Sequence, residues 1–263
     1  MRIALGIEYD GSAFCGWQTQ SEGCGVQDRL RAALSKLADS PVELTAAGRT
    51  DAGVHATGQV VHFDTDAVRD ASSWVRGTNA NLDPSARVVW ATEVPGDFHA
   101  RFSARARSYR YLLLNEPVAP AVMLKRAGWY HHPLDVDAMQ RAATLLVGEH
   151  DFSAFRDAQC QAKSPIRNLT EARVVRSRNL VKFGFTANAF LHHMIRNVVG
   201  SLVYVGAGKQ PVEWIGELLA ARDRTRAAPT FMPDGLYLAG VQYDPVFSLP
   251  PFRPQPLLEM EFR

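Results

Sequence analysis

One carboxylate and one guanidinium stand two residues apart in Gly48-Arg49-Thr50-Asp51-Ala52-Gly53-Val54-His55-Ala56, a loop bounded by glycines. Glycine at 48 and 53 lets the backbone take positive φ and approach a ligand closely, and Arg49 can hold Asp51 ionised and oriented as a nucleophile or base. The same run is also ordinary turn chemistry, in which an aspartate side chain bonds its own backbone two residues on. Taken alone, the loop fits either reading.

Three more stretches carry chemistry. Between Phe98 and Tyr111, period-two geometry puts Arg105, Arg107, Tyr109 and Tyr111 on one strand face, alternating with Ala104, Ala106 and Ser108. Arginines followed by tyrosines on one face suit a surface that grips phosphates and stacks a base; a solvated edge strand charged against aggregation is the plainer alternative. The stretch holding Lys163, Arg167, Arg173, Arg176, Arg178 and Lys182 has only Glu171 against it, which fits a phosphate track or a charged solvent face. In the run from Asn188 to Val203, Leu191, Met194, Ile195, Val198, Val199 and Leu202 form a buried helical stripe beside which stand His193, Arg196, Asn197 and Gly200. Arg196, flanked by core positions, either finds a carboxylate, for which Asp51 is the expected partner, or snorkels to solvent.

Metal and cofactor chemistry find little footing. His131-His132 and His192-His193 are adjacent pairs, neither Cys-x-x-Cys nor His-Glu-x-x-His occurs, and no phosphate-cradling glycine motif follows a strand. The expectation is a catalyst with no metal and no nucleotide cofactor. The formal charge is +2, from 29 basic and 27 acidic residues, so a polyanion must be met by local patches and not by a global field. Cys15, Cys24 and Cys160 are an odd, scattered set, which argues against a disulfide framework and for a reducing compartment. No apolar run approaches the roughly 20 residues that span a bilayer, and Glu8 and Asp10 do not suit a signal peptide, so a soluble cytoplasmic chain is expected.

The elements that must position these residues follow from periodicity. Residues 3–10 read as a strand, 26–38 as an amphipathic helix with Leu30, Leu34 and Leu37 at helical spacing, 42–47 and 59–65 as strands, 71–80 as a weaker helix and 87–93 as a strand. Beyond Phe98 the pattern repeats: a strand through 109–115, a helix at 135–147, strands at 169–176 and 180–187, helices at 190–205 and 211–221, and a strand at 236–243. The expected fold class is α+β, two ferredoxin-like β-α-β-β-α-β halves with antiparallel sheets joined side by side around a cleft. The first half, 1–104, carries the aspartate loop; the second, 105–263, adds one helix and a tail with four prolines in seven residues from Pro250, expected to run as an extended strap.

Nine segments, in order, carry a resemblance over nearly the whole chain: Tyr9 to Gln18, Val26-Gln27, the Asp51 loop with Gln59 to Phe63, Asn79 to Leu82, Phe98 to Tyr111, Gly148 to Phe152, Cys160 to Arg167, Asn188 to Gly200 and Gly235 to Leu238. The chain resembles the tRNA pseudouridine synthase A family, which isomerises uridines at positions 38 to 40 in the anticodon stem-loop. The resemblance implies Asp51 as the nucleophile, Tyr109 packed on the target base, Leu236 beside it, and Arg49 and Arg196 as charged neighbours. It also implies tRNA as the partner and a homodimer in which one tRNA touches both subunits. Phe14-Cys15 and Thr230-Phe231-Met232-Pro233 depart from the family pattern, away from the aspartate loop. Two other classes stay open on the residues: an RNA-binding module in which Asp51 is only a turn residue, and a hydrolase pairing Asp51 with His55.

Overall fold

The computed structural model describes residues 1–251, 255, 258 and 259. Most of the proline-rich tail therefore lies outside the described residues. The chain is mixed α/β, with mostly antiparallel strands and five α-helices among the described residues. It divides into two compact units: Met1–Ala106 with the described residues of 237–255, and Arg107–Leu236 with the described residues of 256–263.

The first unit begins with β1 (Arg2–Tyr9), α1 (Val26–Ala38), β2 (Thr45–Ala46), β3 (His55–Asp64), α2 (Ala71–Asn79) and β4 (Ala86–Val94). β1 is antiparallel to both β3 and β4, and β2 is antiparallel to β3, so the order across this part of the sheet is β4-β1-β3-β2. Helix α1 starts where Asp28 reaches back to accept from the Gly25 N–H at 3.1 Å, and it ends at Asp39, which turns left-handed at φ 54°. Asp70 caps α2 by accepting from the Ser73 N–H at 2.6 Å. Ile3, Leu5 and Ile7 alternate along one face of β1, and Leu30 and Leu34 of α1 and Trp74 of α2 are buried in the same unit. Ala4, Ala47, Val60, Val94, Phe98 and Ala100 form a separate core cluster, covered by Trp90, Val241, Tyr243, Phe247 and Leu249. The strand expected over 42–47 shrinks to two residues because Val42 gives its N–H to the Ser35 hydroxyl instead of a ladder.

The second unit holds β5 (Ala106–Asn115), β6 (Gly128–Tyr130), α3 (Val136–Thr144), β7 (Gly148–Asp151), β8 (Ile166–Ser177), β9 (Leu180–Ala187), α4 (Met194–Gly206) and α5 (Trp214–Ala221). Its strands run β6-β5-β9-β8-β7, all antiparallel except the β5/β6 pair. The short strands β6 and β7 are invisible to periodicity: three and four residues show no alternation to read. The expected helix start near 190 moves to Met194, because His193 sits at φ 59° and residues before it form a loop. The last strand, β10 (Leu236–Gln242), runs parallel to β3, with Tyr237 opposite His55 and Leu238 opposite Ala56. No described helix is long and apolar enough to cross a membrane.

The cysteine expectation needs correction. Cys15 and Cys24 are joined by a disulfide with Cα atoms 5.4 Å apart, and Cys160 is the free thiol. The pair stands 9 positions apart in sequence, but the loop folds back so that the Cys15 N–H donates to the Cys24 carbonyl at 3.0 Å.

His62 of β3 supplies a stability prediction. It is 5% exposed, and its Nδ1 accepts from the Ala100 N–H at 3.1 Å, which requires that nitrogen to be unprotonated. Burial, followed by the Arg2 and His99 charges, depresses its pKa from 6.5 to about 4, against the opposing pull of Asp64. The unfolded chain therefore takes up this proton near pH 6.5 and the folded chain only near pH 4, so the stabilisation is complete above that window and lost as pH falls through it. The loss is on the order of 2–3 kcal/mol. Urea unfolding of wild type and His62→Gln between pH 7 and 4 is the check: the variant should show a flatter dependence, and superimposable curves would remove His62 as the source.

Candidate active site

The Asp51 loop is a hydrogen-bonded turn held from behind. Val54 donates its N–H to the Asp51 carbonyl at 3.1 Å, and Gly53 takes φ 81°, which only glycine adopts cheaply. Behind the turn, the Thr50 hydroxyl and the Tyr9 hydroxyl lie 2.8 Å apart in a buried contact, and the Trp17 N–H donates to the Thr50 carbonyl at 2.9 Å. Burial pushes the Tyr9 hydroxyl far up, so it stays a neutral hydrogen-bonding group. Gln59, fully buried, donates from Nε2 to the Gly48 carbonyl at 2.7 Å. Gly16, at φ 94°, packs so closely that a Cβ there would lie 2.9 Å from the Thr50 carbonyl oxygen. Asp51 is left half-buried at the head of a turn whose backbone has little freedom.

Tyr9, Trp17, Thr50 and Gln59 were not singled out as site residues from sequence. The available signal was Gln59, a polar residue in an otherwise apolar strand, whose amide must find partners once buried.

Arg49 is exposed, whereas Thr50 beside it is buried and Asp51 half-buried. His55 is 2% exposed, its Nδ1 lying 3.1 Å from the Gly11 N–H and 3.2 Å from an Asp10 oxygen, while its ring stacks on Tyr237 at 4.6 Å. That setting is structural, and it gives the hydrolase reading no support.

In the second unit Tyr109 of β5 is 8% exposed and meets Phe190 edge-to-face at 5.1 Å. Tyr111 is wholly buried, its hydroxyl donating to the Met232 carbonyl at 3.0 Å. The expected arginine-tyrosine face is therefore not uniform. Arg105 precedes β5 and pairs with Asp244 in the first unit; Arg107, half-buried, donates to the Asn188 carbonyl at 2.9 Å. The second basic stretch is broken as well. Lys182 is 5% exposed and donates to the Glu259 carbonyl at 2.9 Å, burial lowering its pKa, and Arg176 bridges Asn115 Oδ1 at 2.9 Å and the Leu134 carbonyl at 3.1 Å.

Every residue of the expected stripe is buried, with Met194, Ile195, Val198, Val199 and Leu202 on α4 and Leu191 in the loop before it. Arg196, half-buried, donates from Nε to the Phe231 carbonyl at 2.8 Å, and Phe231 returns its N–H to the Arg196 carbonyl at 3.2 Å. One position on, Asn197 is fully buried: it donates to the Phe155 carbonyl at 2.8 Å and accepts from Arg224 at 3.0 Å and the Thr230 hydroxyl at 2.7 Å. Thr230 and Phe231, in the segment where the sequence departs from the family pattern, thus anchor the helix that carries Arg196. At the head of α4, Asp157 holds His193 Nδ1 at 2.8 Å. Leu236 opens β10 and is 5% exposed.

Comparison with known proteins places these residues in a wider set. A family model described as tRNA pseudouridine synthase matches residues 6–103 and 142–244. The tRNA pseudouridine synthase A of Methylobacillus flagellatus is 59% identical over 250 residues, covering 95% of this chain and 96% of that protein. The protein of the same name from Nitrosomonas eutropha is 55% identical over 263 residues, covering 99% and 95%, and that of Paraburkholderia phytofirmans is 58% identical over 249 residues, covering 95% and 92%.

Proposed function

This chain belongs to the tRNA pseudouridine synthase family, an isomerase family, and we propose that Asp51 is its nucleophile toward uridines 38, 39 and 40 of the tRNA anticodon stem-loop. The coarse reaction is the isomerisation of uridine in tRNA to pseudouridine. The N1–C1′ glycosidic bond breaks, a C5–C1′ bond forms, the C5 proton leaves and N1 gains a proton, with no net redox change. One carboxylate suffices for such chemistry, by adding at C1′ or C6 or by taking the 2′ proton. The observation that carries the proposal is the Asp51 turn: a half-buried carboxylate on a backbone held by Thr50, Trp17 and Gln59. Such holding is what a positioned nucleophile requires and what an incidental surface turn does not.

Arg49 and Arg196 are the proposed charged neighbours, Tyr109 the floor under the target base and Leu236 its apolar edge. The base must leave its stack to be reached, so an aromatic surface of this kind is needed. The α+β halves, 1–104 and 105–263, are proposed as ferredoxin-like units; the β4-β1-β3-β2 order in the first supports this for that half. A cytoplasmic homodimer that binds tRNA, needing no metal or nucleotide cofactor, completes the proposal.

Mapping modified uridines in tRNA before and after incubation with purified protein, in buffer containing a chelator, tests substrate, product and metal independence together. Pseudouridine at 38 to 40 is expected. Free uracil would indicate hydrolysis, and tRNA binding without product a binding module.

Arg105 and Arg107 are proposed to grip phosphate. Each Ala replacement should weaken binding of all tRNA substrates alike and reduce the salt slope by roughly one unit or less for each phosphate that is no longer neutralised. Arg105 must exchange a charged Asp244 partner for a phosphate while Arg107 exchanges the neutral Asn188 carbonyl, so Arg107→Ala should give the larger change. Titrations at several salt concentrations decide the matter: an unchanged slope in Arg107→Ala takes this strand face out of the tRNA surface.

A further inference from the structure

The loop between β1 and α1 holds two cysteines that the reaction above does not use. Cys15 is exposed and Cys24 half-buried, so a small oxidant can reach the pair. Their Cα atoms lie 5.4 Å apart, inside the range a disulfide spans without moving the backbone. The neck of the loop is set in register by backbone bonds from Cys15 N–H to Cys24 carbonyl at 3.0 Å, Val26 N–H to Gly16 carbonyl at 3.1 Å and Gln27 N–H to Trp17 carbonyl at 3.0 Å. The residues next to Cys15 are those that back the Asp51 turn: Trp17 donates to the Thr50 carbonyl, and Gly16 lies against Thr50, Asp51 and Ala52. A covalent link at this neck therefore acts on the same short backbone that supports the carboxylate.

We propose that Cys15 and Cys24 are a reversible thiol–disulfide site that exchanges with small disulfides of the glutathione class, and that closing it stiffens the backing of the Asp51 turn. One cysteine thiolate attacks a sulfur of oxidised glutathione, forming a mixed disulfide and releasing one glutathione thiolate. The second cysteine thiolate attacks the protein sulfur of that mixed disulfide, closing the Cys15–Cys24 bond and releasing the second glutathione. Two electrons pass from the cysteine pair to glutathione, and the two thiol protons end on the two glutathione thiols. The link removes open conformations of a short loop, so its effect falls on local opening more than on interactions already made. Its bearing on catalysis rests on Asp51 as nucleophile; the thiol chemistry does not.

The test uses the full chain with Cys160→Ser, which leaves only this pair, equilibrated over a range of reduced-to-oxidised glutathione ratios. Alkylation and intact mass should count two thiols at the reducing end and none at the oxidising end, with no retained glutathione, and excess reduced glutathione should restore both. Amide exchange of residues 15–25 and 50–53 should slow roughly ten-fold in the oxidised form, with distant segments unchanged. Two alkylatable thiols at every ratio, a stable glutathione adduct in place of the closed bond, or closure without slower exchange at 50–53 would each overturn the proposal. Because the oxidised and reduced states of one protein are compared, a poorly folding Cys15→Ser variant does not compromise the result. A failure of the Asp51 assignment would appear in turnover, which these readouts do not use.

Discussion

Asp51→Ala is expected to lose isomerase turnover by on the order of 10⁴-fold or more while tRNA affinity stays within a few-fold, since removing a nucleophile abolishes a covalent route that no neighbour replaces. Affinity for tRNA comes mainly from cations meeting phosphates, and a carboxylate contributes nothing favourable to that sum. The fold should tolerate the change. The turn is closed through the Asp51 carbonyl, and its backing bonds run to Thr50 and Gly48, none of which uses the carboxylate. Asp51→Asn preserves shape and hydrogen-bonding groups and should be equally inactive, separating the charge from the geometry. Single-turnover assays with a modification-sensitive readout, beside tRNA titrations and thermal unfolding of each variant, provide the comparison. Turnover near wild type in Asp51→Ala sinks the mechanism; lost activity with lost folding leaves Asp51→Asn to decide.

Tyr109 should divide into a ring effect and a hydroxyl effect. Tyr109→Leu removes the aromatic surface, and stacking of a base on a ring is worth on the order of 1–3 kcal/mol, so affinity for the stem-loop should fall by about 5- to 150-fold, with turnover falling alongside. Tyr109→Phe keeps the ring and its edge-to-face contact with Phe190, so binding should be retained. If the hydroxyl moves a proton, Tyr109→Phe will still lose turnover. Since Tyr109 is 8% exposed, Leu also costs packing, and unfolding midpoints for both variants separate that cost from base contact. Equal stem-loop affinity for wild type, Phe and Leu would take Tyr109 out of the base site.

Much of this was written in local patterns. The α4 stripe from Met194 to Leu202 is buried as its spacing requires, because a helix that must hide one face repeats apolar residues at 3.6-residue intervals. The order of long elements was readable for the same reason. The Asp51 loop stood out because glycine, arginine and aspartate together are poor core material, and the family resemblance gave it a chemical role.

Tertiary structure decided what periodicity carries no signal for. Whether Arg105 faces phosphate or Asp244, and whether Lys182 lies on a basic track or buried against the Glu259 carbonyl, depends on segments scores of residues away. The β6 and β7 strands exist only because longer neighbours offer unpaired edges. His193 begins α4 in a left-handed conformation beside Asp157, a start that an uninterrupted helical pattern hides. Cys15 and Cys24 read as scattered along the chain and meet only when their loop folds back. The sequence by itself determined the order of the long elements, the apolar faces and the glycine-bounded loop that carries the proposed nucleophile, since each is set by neighbours within a few residues. The support behind that loop, from Tyr9, Trp17 and Gln59, was decided by the tertiary structure, since a hydrogen bond between residues far apart exists only once the sheet brings their backbones together.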